Sequence, residues 1–167
     1  MSTGFEKIGS DSQLQDHWIR RLIAFIIDAI IVFIGTFIIG VIVFVPLIIV
    51  AAATGLPGVL FNPWAFPFLA GLLSLAYSAL LESFYGWTFG KKIMNLRVQK
   101  ISGQKISLDL ALIRNASKIY WILVLVDVIV GLATPGDPHQ KISDRMAGTT
   151  IAPLTTPTSP PRSPSAD

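Results

Sequence analysis

The sequence predicts an all-α integral membrane protein with two transmembrane helices, a third segment that either spans or re-enters, and a small cytoplasmic β-element. Three observations carry this. From Ala29 to Leu81 the chain runs 53 residues without an Asp, Glu, Lys, Arg or His. A hydrocarbon crossing needs only ~20 apolar residues, so that run holds two crossings and a short turn. Composition agrees: 52% of the 167 residues are hydrophobic and 14% charged, where a soluble domain carries about 25% charged residues. Third, the basic residues collect beside the apolar segments, as they do in cytoplasmic loops. The pI near 9.4 therefore points to a membrane surface and not to nucleic acid. The absence of cysteine excludes a disulfide framework, a thiolate nucleophile and a cysteine-based metal site.

Residues 1–17, MSTGFEKIGSDSQLQDH, are polar and mixed in charge, without the basic start and short apolar core of a cleavable signal peptide. They are read as a mobile cytoplasmic arm ahead of a membrane domain at 18–152. The first apolar segment starts at Leu22 and has the composition to reach Ala53, which as a straight helix is ~48 Å and longer than one bilayer. Pro46 is expected to kink or end it, and Gly35 and Gly40 offer surfaces for close helix approach. Turn residues make 54–63 the external connection. The second span is expected from about Trp64 to Leu81, with Tyr77, Tyr85 and Trp87 towards its far end as interfacial aromatics.

From Glu82 to Lys118 the pattern changes, and seven of the thirteen basic residues lie there. Residues 96–101, the pair Ser102-Gly103 and residues 104–107 read as strand, turn and second strand. Leu96–Lys100 can instead pair with Thr149–Ala152, provided both lie on one side of the membrane. Ser107-Leu108-Asp109 opens a helix with Asp109 near its positive end. The third apolar segment, Ile119 to Ala133, is only 15 residues long and contains Asp127, so it permits a crossing or a re-entrant turn. Residues 153–167 form a Pro/Ser/Thr tail expected to be disordered.

Lys and Arg counts set the orientation. The amino-terminal flank has three, the 54–63 loop none and the 82–118 segment seven. The amino terminus and the 82–118 segment are therefore expected in the cytoplasm, in a multi-pass protein of the cell membrane.

Four blocks in this order resemble the RDD family of small membrane proteins, named for one arginine and two aspartates. Arg20-Arg21 followed by an apolar half-helix and Asp28 is similar to its opening block. Gly86-Trp87-Thr88-Phe89-Gly90-Lys91 is similar to its Gly-x-Thr-x-Gly-Lys block. Arg114-Asn115 resembles the start of its last membrane segment, and Asp144 followed by Ala147-Gly148-Thr149 resembles its closing block. The resemblance implies a membrane fold, with transport or ion exchange as the activity suggested for such proteins.

Asp28 stands at membrane depth, where an isolated charge costs roughly 2.5–3.5 kcal/mol on insertion scales, so it needs a partner or a job. One reading pairs it with Arg114, Lys118 or Lys91 to fix helix packing. The other lets Asp28, Asp127 and an interfacial Glu82 line a polar path for a proton or small cation. Asp127, between Val and Ile neighbours, is expected neutral unless a cation is close. The 86–91 block is not a phosphate-binding loop, because three residues and not four separate its glycines and Lys92 follows Lys91. It is expected to be a tight turn whose lysines meet anionic headgroups, as the basic 91–118 segment does more widely. His17 and His139 have no partner at ligand spacing and are expected to be solvated.

No serine, histidine and acid grouping is placed for hydrolysis, so neither enzymatic activity, catalytic residues, a metal nor a cofactor is expected. Two functions remain. The first is transport of a proton, small cation or small solute by a homo-oligomer, packed through small residues such as Gly35, Gly40, Ala70, Gly71 and Ala76. The second is a non-catalytic scaffold or assembly subunit.

Overall fold

The computed structural model describes residues 4–54 and 65–154. Of the expected external connection, residues 55–63 lie outside the described residues, as do Trp64 and the expected tail beyond Leu154, while Thr54 ends a helix. The chain opens with α1 (Gly4–Ser10) and α2 (Ser12–Thr54). Asp11 separates them and caps α2, its Oδ1 accepting the amides of Gln13 and Leu14 at 2.9 and 3.2 Å, which satisfies two orphan donors of the first turn. Residues 4–17, expected as a mobile arm, are helical on both sides of Asp11 and touch the rest of the chain. Gly4 packs against Leu132, Leu14 is fully buried, and the Trp18 indole donates to the Pro138 carbonyl at 3.0 Å.

Helix α2 runs 43 residues, with Pro46 inside it. It neither ends nor starts anew at that proline, a tolerance common in membrane helices, where neighbouring groups take up the freed carbonyl. Its buried positions are mostly small or polar, Ala24, Asp28, Thr36, Gly40 and Ala51, whereas Phe33, Ile42 and Ile49 are more than half exposed. That inverted pattern suits a helix whose solvent is hydrocarbon. The second apolar helix, α3 (Ala65–Tyr85), meets the expected span. Both α2 and α3 are long and apolar enough to cross a membrane.

Five short elements and a sixth apolar helix complete the fold: α4 (Phe89–Ile93), β1 (Leu96–Lys100), α5 (Leu108–Asn115) with a 3₁₀ turn (Ala116–Ile119), α6 (Trp121–Ala133), α7 (Ile142–Met146) and β2 (Thr149–Pro153). Strands β1 and β2 pair antiparallel, Leu96 opposite Pro153 and Lys100 opposite Thr149. The expected second strand at 104–107 does not form. It brings a single apolar residue, Ile106, whereas 149–153 buries Thr149 and Ile151 in alternation against Leu96 and Val98. Leu96, Val98, Ile106 and Ile151 join Ala24, Ala79 and Ala111 in the apolar core below the sheet.

The third apolar segment is bent. Residues 108–119 and 121–133 meet at 112°, and α6 alone has 13 residues, ~20 Å of helix against a hydrocarbon core of ~30 Å. The 3₁₀ turn packs tightly on α3: a Cβ on Gly71 would lie 1.9 Å from the Ile119 carbonyl oxygen. A Cβ on Gly35, expected to offer a similar surface, would meet no other part of the chain within 4 Å among the described residues.

Candidate functional site

Asp28 leaves α2 towards the start of α4. Thr88 caps that short helix, its backbone extended and its hydroxyl accepting from the Lys91 amide. The same hydroxyl donates to Asp28 Oδ2, while Tyr77 Oη and the Gly90 amide donate to Oδ1 at 2.9 and 2.8 Å. Gly90 is required for this approach, since a Cβ there would stand 2.1 Å from the Ala24 carbonyl oxygen. The Gly-x-Thr-x-Gly block is therefore a turn that receives a carboxylate from the neighbouring helix. Gly86, with φ +80°, reverses the chain into it. None of the cations expected beside Asp28 lies within 4 Å of it among the described residues. Its donors are neutral, and Tyr77, expected as an interfacial aromatic, is one of them.

Two of those cations, Lys91 and Arg114, serve other acids. Glu82, expected at the interface, is fully buried. It is bonded by the Lys91 ammonium, by Asn115 Nδ2 at 2.8 Å, and has Arg114 Nε at 3.3 Å. Lys91 thus turns inward instead of meeting headgroups, and burial pushes its pKa down, against the pull of Glu82. Lys92 remains outside, its ammonium 4.4 Å from the centre of the Trp87 ring.

Asp144, which the sequence marked only as part of a motif, is the second anion of this network. Arg21 donates to its Oδ2 at 2.7 Å, and Arg114 NH2 stands 3.0 Å from Oδ1 without the alignment of a hydrogen bond. Burial alone would raise the Asp144 carboxyl. The guanidiniums of Arg114 and Arg21, with Lys141, outweigh it and hold the group well below the usual carboxylate range. Arg20, one residue away, points elsewhere and pairs with exposed Asp16.

Asp127 does find the cation it needs. Lys141 Nζ donates to Oδ2 at 2.5 Å, and also to the Arg114 carbonyl at 2.7 Å and Ser117 Oγ at 3.3 Å, using all three of its protons. Ser117 Oγ donates to the same carboxylate at 2.8 Å, the Ser143 amide donates to Oδ1 at 2.7 Å, and the Ser143 hydroxyl lies between Oδ2 and the Arg114 carbonyl. This joins α6 to α7. Arg145 adds a further clamp, donating to the carbonyls of Gly131, Thr134 and Pro135 at the end of α6, where a cation complements the helix dipole. Neither Lys141 nor Ser143 carried a sequence signal beyond adjacency to the closing block. The histidines are not free in solvent either: His17 Nε2 lies 3.2 Å from the His139 carbonyl, with the rings 5.0 Å apart.

Beside this network lies a cavity of about 420 Å³ between α2 and α6. Arg21, Lys91, Arg114, Lys118 and Lys141 line it with a single acid, Asp28. Lys118 donates to the Ser78 hydroxyl at 2.6 Å and has no acid within 4 Å among the described residues.

No curated protein and no solved structure matches the chain. The sequence model of the RDD family matches residues 16–148, from the Asp16 that pairs with Arg20 to the glycine before β2, and so takes in Arg21, Asp28 and Asp144 together with the turn that receives Asp28. With most of its length matched, the chain belongs to the RDD family of membrane proteins.

Proposed function

We propose that the protein binds an anion at the cytoplasmic boundary of the cell membrane and, as a homo-oligomer, moves it. Of the cargoes the sequence admits, a proton, a small cation or a small solute, the geometry favours an anionic solute. The observation that carries this is Lys118 on the cavity wall, a cation with no acid within 4 Å among the described residues, where the other four cations of the lining are ion-paired. The three acids that a cation path would use are engaged: Glu82 and Asp127 by cations, Asp28 by three neutral donors. An oligomer is needed because two spans and a bent third segment cannot enclose a path alone.

The orientation rests on the seven basic residues between 82 and 118 and on the β1–β2 pairing, which supports one side for that segment and the closing block. The third segment is then re-entrant. The chain has no cysteine, so Met146→Cys, at a well-exposed position, gives a single label site. An impermeant thiol reagent should reach it only in permeabilised cells; labelling from outside intact cells overturns the orientation.

The functional test is reconstitution into vesicles with an imposed gradient. Flux that follows a phosphate or carboxylate anion, and falls in Lys118→Gln, is expected. Flux of proton, sodium or potassium that is indifferent to the anion overturns the reading. A scaffold is the second reading, favoured by the fact that Glu82, Asp127 and Asp144 each tie two segments together through ion pairs. It predicts no flux and co-purification with partner proteins.

A further inference from the structure

The cavity lining combines cationic and apolar side chains. Four of its five cations are ion-paired, with Glu82, Asp127 or Asp144. The fifth, Lys118, shares the wall with Asp28 but donates only to a neutral hydroxyl and has no acid within 4 Å among the described residues, so it is the cation there without an ion pair. The lining also includes Leu22 and Phe25 of α2 and Leu125 and Val128 of α6. These two helices do not pack closely on each other, and Leu22, Phe25 and Leu125 keep between a third and two thirds of their surface exposed. In a bilayer such surface meets acyl chains, which are as apolar as leucine. At about 420 Å³ the space lies in the range of roughly 300–1,000 Å³ typical of organic ligands and exceeds what an inorganic anion fills.

We propose that this cavity binds an anionic phospholipid, its phosphate against Lys118 and its acyl chain between α2 and α6. The proposal rests on the anion-binding reading above and narrows it from a solute to a membrane amphiphile. Charge complementarity supplies the headgroup half: an ammonium lacking a carboxylate is a point-charge phosphate donor, and such charge-assisted bonds are about twice as strong as neutral ones. The slot between two apolar helices supplies the other half. A phosphatidylcholine would bring a phosphate but also a fixed cation into a wall that already has one without an ion pair. An anionic headgroup such as phosphatidylglycerol brings no such charge.

The experiment uses the full chain in nanodiscs of phosphatidylcholine with a minority of phosphatidylglycerol, and reads the lipid retained by native mass spectrometry after release into neutral detergent. Phosphatidylglycerol should be retained in preference to phosphatidylcholine. Lys118→Gln should lower that retention on the order of tenfold, the value of one charge-assisted contact, and Lys118→Arg should restore most of it. Leu125→Trp, at a half-exposed site that leaves the charge network intact, should lower it by filling the slot. Lys105→Gln, on the exposed surface, should leave it unchanged. Soluble glycerol phosphate is the second arm. If it binds and phosphatidylglycerol is not preferred over phosphatidylcholine, this proposal fails while the anion-binding reading stands. If neither binds, both fail. Retention lost in Lys105→Gln and kept in Lys118→Gln and Leu125→Trp would assign the lipid to the outer basic surface and overturn the cavity site.

Discussion

Asp28 and Asp127 are both carboxylates inside apolar helices, yet the two regions around them solve the same problem differently. Asp127 is held by an ammonium whose three protons are all used, plus two serines. Asp28 is held by a tyrosine, a threonine and a backbone amide. An ion pair ties the partners' charges to each other, so that removing one strands the second. Neutral donors leave nothing stranded. The first device clamps the bent third segment to the closing block, and the second seats one helix on another.

The largest expected effect tests the ionic half. Asp127→Asn replaces an acceptor by an amide that turns either its N–H groups or a weaker oxygen towards Lys141, and an ammonium cannot accept. Breaking a buried pair from one side costs about 3–5 kcal/mol, so the detergent-solubilised variant should unfold at a much lower temperature. Adding Lys141→Met should recover much of the loss, because the stranded charge goes with it. If the double variant is no better than the single one, Lys141 is not what makes Asp127 necessary, and the contrast with Asp28 collapses.

How far this was legible in the sequence follows from the same two residues. That both acids needed partners could be read from their apolar surroundings, and the spans followed from the charge-free run. Which partners they take could not. Asp28 lies seven residues from Arg21 along one helix, but its donors come from positions 77, 88 and 90, brought together only once Gly90 lets α4 touch α2. Lys91 was read outward as a headgroup contact because a lysine after glycine in a basic segment usually is solvated. Its inward turn depends on Glu82 lying one helix away. The β2 pairing was legible as an alternative, since alternating burial was written into 149–152, but the turn after β1 suggested the nearer partner.

A middle-sized effect tests the geometry of the neutral cage without touching its charge. Gly90→Ala places a methyl 2.1 Å from the Ala24 carbonyl oxygen and 3.0 Å from the Asp28 carboxyl carbon. Both α2 and α4 would have to separate, and overpacking of this kind costs about 1–3 kcal/mol. The loss should appear as a lower unfolding temperature together with faster amide exchange at residues 88–93, while exchange at 142–146 stays normal. Equal loosening of both regions would mean that the two cages are one cooperative unit.

The smallest effect is expected where the charge itself is removed from the neutral cage. In Asp28→Asn the amide oxygen can keep the Oδ1 place, where it still accepts from Tyr77 and the Gly90 amide. The new NH₂ then faces Thr88, whose hydroxyl is both donor and acceptor and can turn to receive it. One contact is reversed and the buried Thr88 proton loses its acceptor, so the cost should be about 1–2 kcal/mol, that of one unmade hydrogen bond and below that of Asp127→Asn. Arg114→Ala added to it should not compensate, since Arg114 serves Glu82 and Asp144 instead, and the two losses should add within a few tenths of a kcal/mol. Unfolding temperatures of the four proteins in one detergent decide this. An Asp28→Asn loss as large as that of Asp127→Asn, or one relieved by removing Arg114, would show that Asp28 is ion-paired after all and that the two regions work alike.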